Sequence, residues 1–155
     1  MLAHRAGVRI EDVEAFATHL VVHQRSEGLT QLRLLRLTAT GIGEDSLVDF
    51  GASLYTIGSG ANPEFEQPVV RLGFTSLATP SSVYDLDVRD DSLTLLRRAE
   101  VLGGFDPEDY VEERVWATSA DGASVPVSVV RRRDAEGAIP FLLYGYGSYE
   151  MSIDP

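Results

Sequence analysis

The sequence predicts a mostly β protein built in two pieces. One is an antiparallel module over the first hundred residues, and the other is a second β-rich pattern that starts near residue 100. Three observations carry this. Short apolar stretches recur at close spacing, Gly, Asp, Ser and Asn fill the gaps between them, and no window sustains the 3.6-residue period of a long amphipathic helix.

Residues 1–17 form a polar start, with a short helical turn expected over 11–16. Residues 19–25 read as a strand, Ser26-Glu27-Gly28 as a turn and 30–38 as the returning strand, which together make a hairpin. Gly28 supplies the positive φ that such a turn needs. Strands are expected next at 53–57 and 69–76, then at 82–88 and 92–98 around Asp90-Asp91. Gly103-Gly104 and Pro107 punctuate a linker over 100–107. Strands at 111–118 and 125–132 flank Ser119-Ala120-Asp121-Gly122, a strong hairpin cue. The apolar run 139–144 has the composition of a strand buried on both faces, and it leads into Gly145-Tyr146-Gly147-Ser148-Tyr149. A buried strand with no successor is a poor place for a domain to end. The chain therefore reads as the end of one module and the beginning of another.

Composition removes several function classes. The chain of 155 residues carries a formal charge of −11, and all 13 of its basic residues are Arg. That balance opposes a nucleic-acid footprint and docking on anionic membranes, and it suits cationic ligands. The absence of Cys excludes disulfides, zinc–thiolate sites and thiol nucleophiles, and it fits a cytoplasmic location. No apolar run nears the roughly 18 residues of a membrane span, and Met1–Arg5 lacks a signal-peptide layout. His19 and His23 are four apart, which on a strand separates them by roughly 13 Å. No shared metal is expected there, and His4 stands apart from both. Between residues 85 and 113, ten acids face three arginines, so this stretch holds −7 of the total charge. It is a solvated face or a field that gathers basic peptides.

Four segments together resemble the prolyl oligopeptidase family, in its oligopeptidase B (protease II) branch. They are residues 71–85 (RLGFTSLATPSSVYD), 101–110, 113–122 (ERVWATSADG) and 143–149 (LYGYGSY). The tyrosine–glycine segment is the most specific of them. The resemblance implies a serine oligopeptidase with a seven-bladed β-propeller and an α/β-hydrolase domain that carries a Ser-His-Asp triad. On that mapping residues 1–99 are the last, antiparallel propeller blades, 100–107 the linker and 108–155 the first strands of the hydrolase domain. No cofactor or metal is implied. The family's nucleophile sits in a Gly-x-Ser-x-Gly elbow between strand and helix. These 155 residues contain no such motif, so the triad is expected outside them.

The resemblance also assigns roles. Tyr146 corresponds to the tyrosine whose hydroxyl donates to the oxyanion hole, where a pre-oriented neutral donor stabilises charge developing on the carbonyl oxygen. Without the resemblance, Gly145-Tyr146-Gly147 is a glycine-rich turn with a packing aromatic. Tyr149 corresponds to an aromatic beside the pocket for the residue preceding the scissile bond, and packing alone is the other reading. Asp154 corresponds to an acid that helps bind a second basic substrate side chain. Glu150 replaces the family's usual Gly, and it also breaks a Gly-x-Gly-x-x-Gly dinucleotide pattern. Trp116 is expected in a core or at the interface between the two modules.

The expected activity is cleavage of short basic peptides after Arg or Lys through an acyl-enzyme. Two alternatives stand beside it: an esterase or acyl-peptide hydrolase of the same fold, and a non-catalytic β-rich binding module. Alone, the chain is expected to lack peptidase activity and to self-associate through an exposed strand over 139–146.

Overall fold

A computed structural model describes residues 2–149 and 151–155. The first sheet is a meander of β1 (Val8–Ala15), β2 (His19–Ser26), β3 (Leu29–Thr38) and β4 (Gly41–Leu47), ordered β1-β2-β3-β4. The second repeats the pattern with β5 (Thr56–Ser59), β6 (Val69–Thr75), β7 (Ser82–Asp87) and β8 (Ser92–Arg98). Every pairing within both sheets is antiparallel. A 3-10 turn at Pro107–Asp109 leads into a separate hairpin of β9 (Tyr110–Thr118) and β10 (Ser124–Arg132), which pair in continuous register.

The two four-stranded sheets share one core. Val21, Leu32 and Leu34 of the first sheet meet Ile57, Val70, Leu72 and Leu86 of the second, with Phe16 and Val88 closing the cluster. On β6 the side chains of Val70, Leu72 and Phe74 are buried at every second position, as the pleat requires. On β3 four successive residues, Leu32 to Leu35, are buried, so both faces of that strand are covered. Cross-sheet polar contacts fix the stacking. Thr30 Oγ1 accepts from the Ile57 amide at 3.0 Å, and Arg36 donates to the Val88 carbonyl at 2.7 Å. The β2–β3 turn puts Glu27 at φ 50° and Gly28 at φ 77°. Two successive positive φ values are the mark of a two-residue turn that follows the twist of its strands.

Several expectations need correction. Residues 11–16 are not a helical turn but most of β1, because the segment is held by pairing with β2. A register shift absorbs Glu11, and the Asp12 carboxylate accepts from the Val13 amide at 2.8 Å beside it. The strand expected at 53–57 begins later, at Thr56. β4 is a strand that the sequence does not signal, since Gly41 to Leu47 lacks apolar alternation; it forms by pairing with β3 and by the ion pair of Arg33 with Asp45. The run 139–144 is not a strand. Leu142 and Leu143 are 86% and 76% exposed, and no described strand lies beside them to accept their backbone groups. The interface expected through an exposed strand at 139–146 is therefore left with an exposed apolar segment that has no strand geometry.

His19 makes stability pH-dependent. Its ring is fully buried and stacks on Phe16 with centroids 4.5 Å apart. Nδ1 lies 3.2 Å from Thr18 Oγ1, and Nε2 has no hydrogen-bond partner among the described residues. Burial, with the positive charge of Arg36 adding to it, lowers its pKa below the ordinary 6.5. The unfolded chain therefore takes up a proton that the folded chain refuses. Stability is complete above about pH 6.5 and declines as pH falls from there toward the folded-state pKa. Urea midpoints should drop between pH 7.5 and 5.5, and His19→Phe should flatten that drop. Equal slopes in the two proteins would remove His19 as the cause.

Candidate functional site

The C-terminal segment, from Phe141 to Pro155, runs past the β2–β3 turn and the β9–β10 hairpin. A groove of about 860 Å³ lies between them, with Gly28, Arg114, Val127, Leu143, Tyr146 and Asp154 among its lining. Contacts of Asp154 and Pro155 tie the segment to the first two sheets. Arg25 of β2 grips Asp154 with a fork, Nη1 to Oδ1 at 2.7 Å and Nη2 to Oδ2 at 2.9 Å. Thr56 Oγ1, at the start of β5, donates to the Pro155 carbonyl at 2.7 Å. The hydrogen bonds to Asp154 hold the Arg25 pKa well above the ordinary arginine range.

The hairpin is anchored on the β2–β3 turn along the same groove. Arg114 of β9 donates to the Glu27 carbonyl at 2.6 Å and to Ser128 Oγ at 2.7 Å, and its guanidinium carbon lies 5.9 Å from the Trp116 ring centre. Burial lowers the Arg114 pKa, against the opposing pull of Asp154 and Glu27. Gly28 leaves room for this contact. A Cβ there would fall 2.7 Å from Arg114 Nη2, at a backbone φ that already disfavours side chains.

Glu112, also on β9, reaches the loop after β6. Its carboxylate accepts from Ser76 Oγ at 3.0 Å and from the Ala78 amide at 2.9 Å. The loop is pre-shaped for this, because Ser76 Oγ also accepts from the Thr79 amide at 2.9 Å and Thr75 Oγ1 donates to the Thr79 carbonyl at 3.1 Å. The Thr-Ser-Leu-Ala-Thr run is thus the receiving end of a carboxylate latch between the second sheet and the hairpin. Glu112→Ala should cost about 1.5–3 kcal/mol, the range for hydrogen bonds to a charged group, and Glu112→Gln less. Chemical denaturation reads the loss. Amide exchange should quicken at Ala78, and unchanged protection there would argue against the latch.

Of the three residues singled out by resemblance, the structure brings two together. Tyr146 is half-exposed on the groove wall and Asp154 lies in the same groove. Tyr149 stands apart at 86% exposure, with φ 52° in a turn where the Met151 amide donates to the Ser148 carbonyl. Glu150 lies outside the described residues. Trp116 is half-exposed on the hairpin rather than in a core. His23 does meet Glu14 and Ser59, at 2.6 and 3.2 Å, but both contacts use Nε2. A nucleophile–base relay needs one partner on each ring nitrogen. Sequence reading missed Arg25, Thr56, Glu112 and Arg114. Their partners lie 129, 99, 36 and 87 residues away, and nothing local marks those pairings.

Two stacked four-stranded meanders followed by a docked hairpin define a propeller-type β module with a second unit attached. Residues 1–99 match the prolyl oligopeptidase N-terminal beta-propeller domain, and the chain belongs to the prolyl oligopeptidase family. It is 36% identical to dipeptidyl aminopeptidase BI of Pseudoxanthomonas mexicana, over 99% of this chain and 21% of that protein. It is 29% identical to protease 2 of Moraxella lacunata, over 94% of this chain and 21% of that protein. Among solved structures, oligopeptidase B from Trypanosoma brucei in a closed form with covalently bound antipain superposes with a TM-score of 0.90 at 31% identity, covering 99% of this chain and 23% of that one. The chain thus spans about a fifth of the length of these curated relatives.

Proposed function

We propose that this chain is the junction region of a serine oligopeptidase of the oligopeptidase B branch, which cleaves short peptides after basic residues through an acyl-enzyme. Residues 1–99 are then propeller blades, 100–107 the linker and 108–155 the start of the hydrolase domain. The exposed run at 139–146 is the surface that further hydrolase strands cover. Tyr146 donates its hydroxyl to the oxyanion, and Tyr149 flanks the pocket for the residue before the scissile bond. The observation that carries the reading is Asp154, a groove carboxylate already engaged by a guanidinium in fork geometry on the same wall system as Tyr146.

The test is the full-length protein assayed on a blocked arginyl amide, a blocked prolyl amide and a simple ester. Preference for the arginyl amide by an order of magnitude or more is expected. Equal turnover of the ester would favour the esterase alternative, and preference for the prolyl amide would remove the basic-residue reading. The 36% identity to a dipeptidyl aminopeptidase favours one further reading, in which Asp154 takes the free α-ammonium of a dipeptidyl substrate. A requirement for an unblocked amino terminus would select it.

A further inference from the structure

We infer that Arg25 is a specificity-determining residue of this groove: it occupies the cation position at Asp154 from the propeller side, and a substrate's own cationic group must displace it. The inference rests on the reading of Asp154 above. Its basis is geometric. Arg25 makes with Asp154 the two-pronged contact that an incoming guanidinium would make, Nη1 donating to Oδ1 and Nη2 to Oδ2. The two side chains are 21% and 23% exposed, so the pair sits at a boundary that solvent and ligand can reach.

Arg25 also has somewhere to go. Its Nε lies 3.2 Å from Glu11 Oε1, and its Nη1 lies 3.2 Å from the Gly28 carbonyl. Both partners belong to the first sheet and its turn, so Arg25 keeps them when it releases Asp154. Exchange of one guanidinium for another then leaves the carboxylate satisfied throughout, and no charge is stranded. A substrate with a neutral group at this position cannot drive the exchange and leaves the internal pair intact. Arg25 therefore weakens discrimination in favour of the cation relative to an open acid. It also ties occupancy of the groove to release of residues 152–155 from β2.

The test uses the full-length enzyme and reads ratios of kcat/KM, which are independent of the fraction of active protein. The substrates are blocked Arg-Arg amide, blocked Gly-Arg amide and unblocked Gly-Arg amide. Arg25→Met should raise the Arg-Arg to Gly-Arg ratio by about two- to fivefold, the scale of a partly exposed ion pair. Arg25→Gln, which keeps a donor for Glu11 and Gly28, should do the same and covers the case in which the Met variant folds poorly. If the bound cation is an α-ammonium, the rise appears instead in the ratio of unblocked to blocked Gly-Arg amide, which equally supports displacement. Asp154→Asn should lower whichever ratio responds, and adding Arg25→Met to it should change nothing further. An unchanged ratio in both Arg25 variants, or a fall like that of Asp154→Asn, would overturn the inference and make Arg25 a support for the acid. If Asp154→Asn leaves both ratios unmoved, the reading of Asp154 fails and takes the inference with it.

Discussion

Tyr146→Phe in the full-length protein should lower kcat for the proposed peptidase reaction by about 10²–10³-fold, equivalent to about 2.7–4 kcal/mol, the loss expected for one oxyanion donor. In the proposed role the hydroxyl serves charge that exists only in the transition state, so KM should move little. Tyr146 is suited to this because it is half-exposed on the groove wall rather than packed away, and its phenyl ring is unchanged by the substitution. Tyr144, two residues earlier and 73% exposed, is the control and should lose far less on conversion to Phe. Equal losses at the two positions, or a loss confined to KM, would reduce Tyr146 to a packing residue.

Leu72→Ala should cost about 2–5 kcal/mol of stability, because it removes a fully buried side chain from a core that cannot close over the gap. Leu72 lies in the middle of β6, opposite Ser59 on β5 and Tyr84 on β7, and its side chain belongs to the cluster shared by both sheets. The loss should appear as a lower urea midpoint at constant slope. Leu102→Ala, at a position 84% exposed in the linker, should change stability by no more than about 0.5 kcal/mol. A loss at Leu72 as small as at Leu102 would mean that the two sheets do not depend on each other.

The hairpins were legible because their causes are local. Ser26-Glu27-Gly28, Asp90-Asp91 and Ser119–Gly122 punctuate runs with period-2 apolar character. The strands beside them start and stop within one or two residues of expectation, at β2 and β3, β7 and β8, and β9 and β10. The edge strands of the first sheet were less legible. β1 and β4 are mostly exposed; β4 carries no apolar alternation, and that of β1 changes frame between Ile10 and Asp12. They exist because β2 and β3 offer them hydrogen-bonding edges.

The run 139–144 teaches the converse. Its composition suits a buried strand, yet composition cannot supply a neighbour, and without one the backbone does not adopt a strand. The candidate site divides the same way. Tyr146 and Asp154 are singled out by the family resemblance, and nothing in period or turn chemistry alone marks them. The β class and the positions of the hairpins were thus readable from the chain alone, since they follow from period and turn chemistry, and the family resemblance added the residues worth testing. Only the tertiary structure decided that Arg25 faces Asp154, that Glu112 enters the loop after β6 and that Thr56 holds the Pro155 carbonyl. Each of those contacts joins residues far apart in the chain, and their meeting depends on how the sheets and the hairpin stack, which no local pattern encodes.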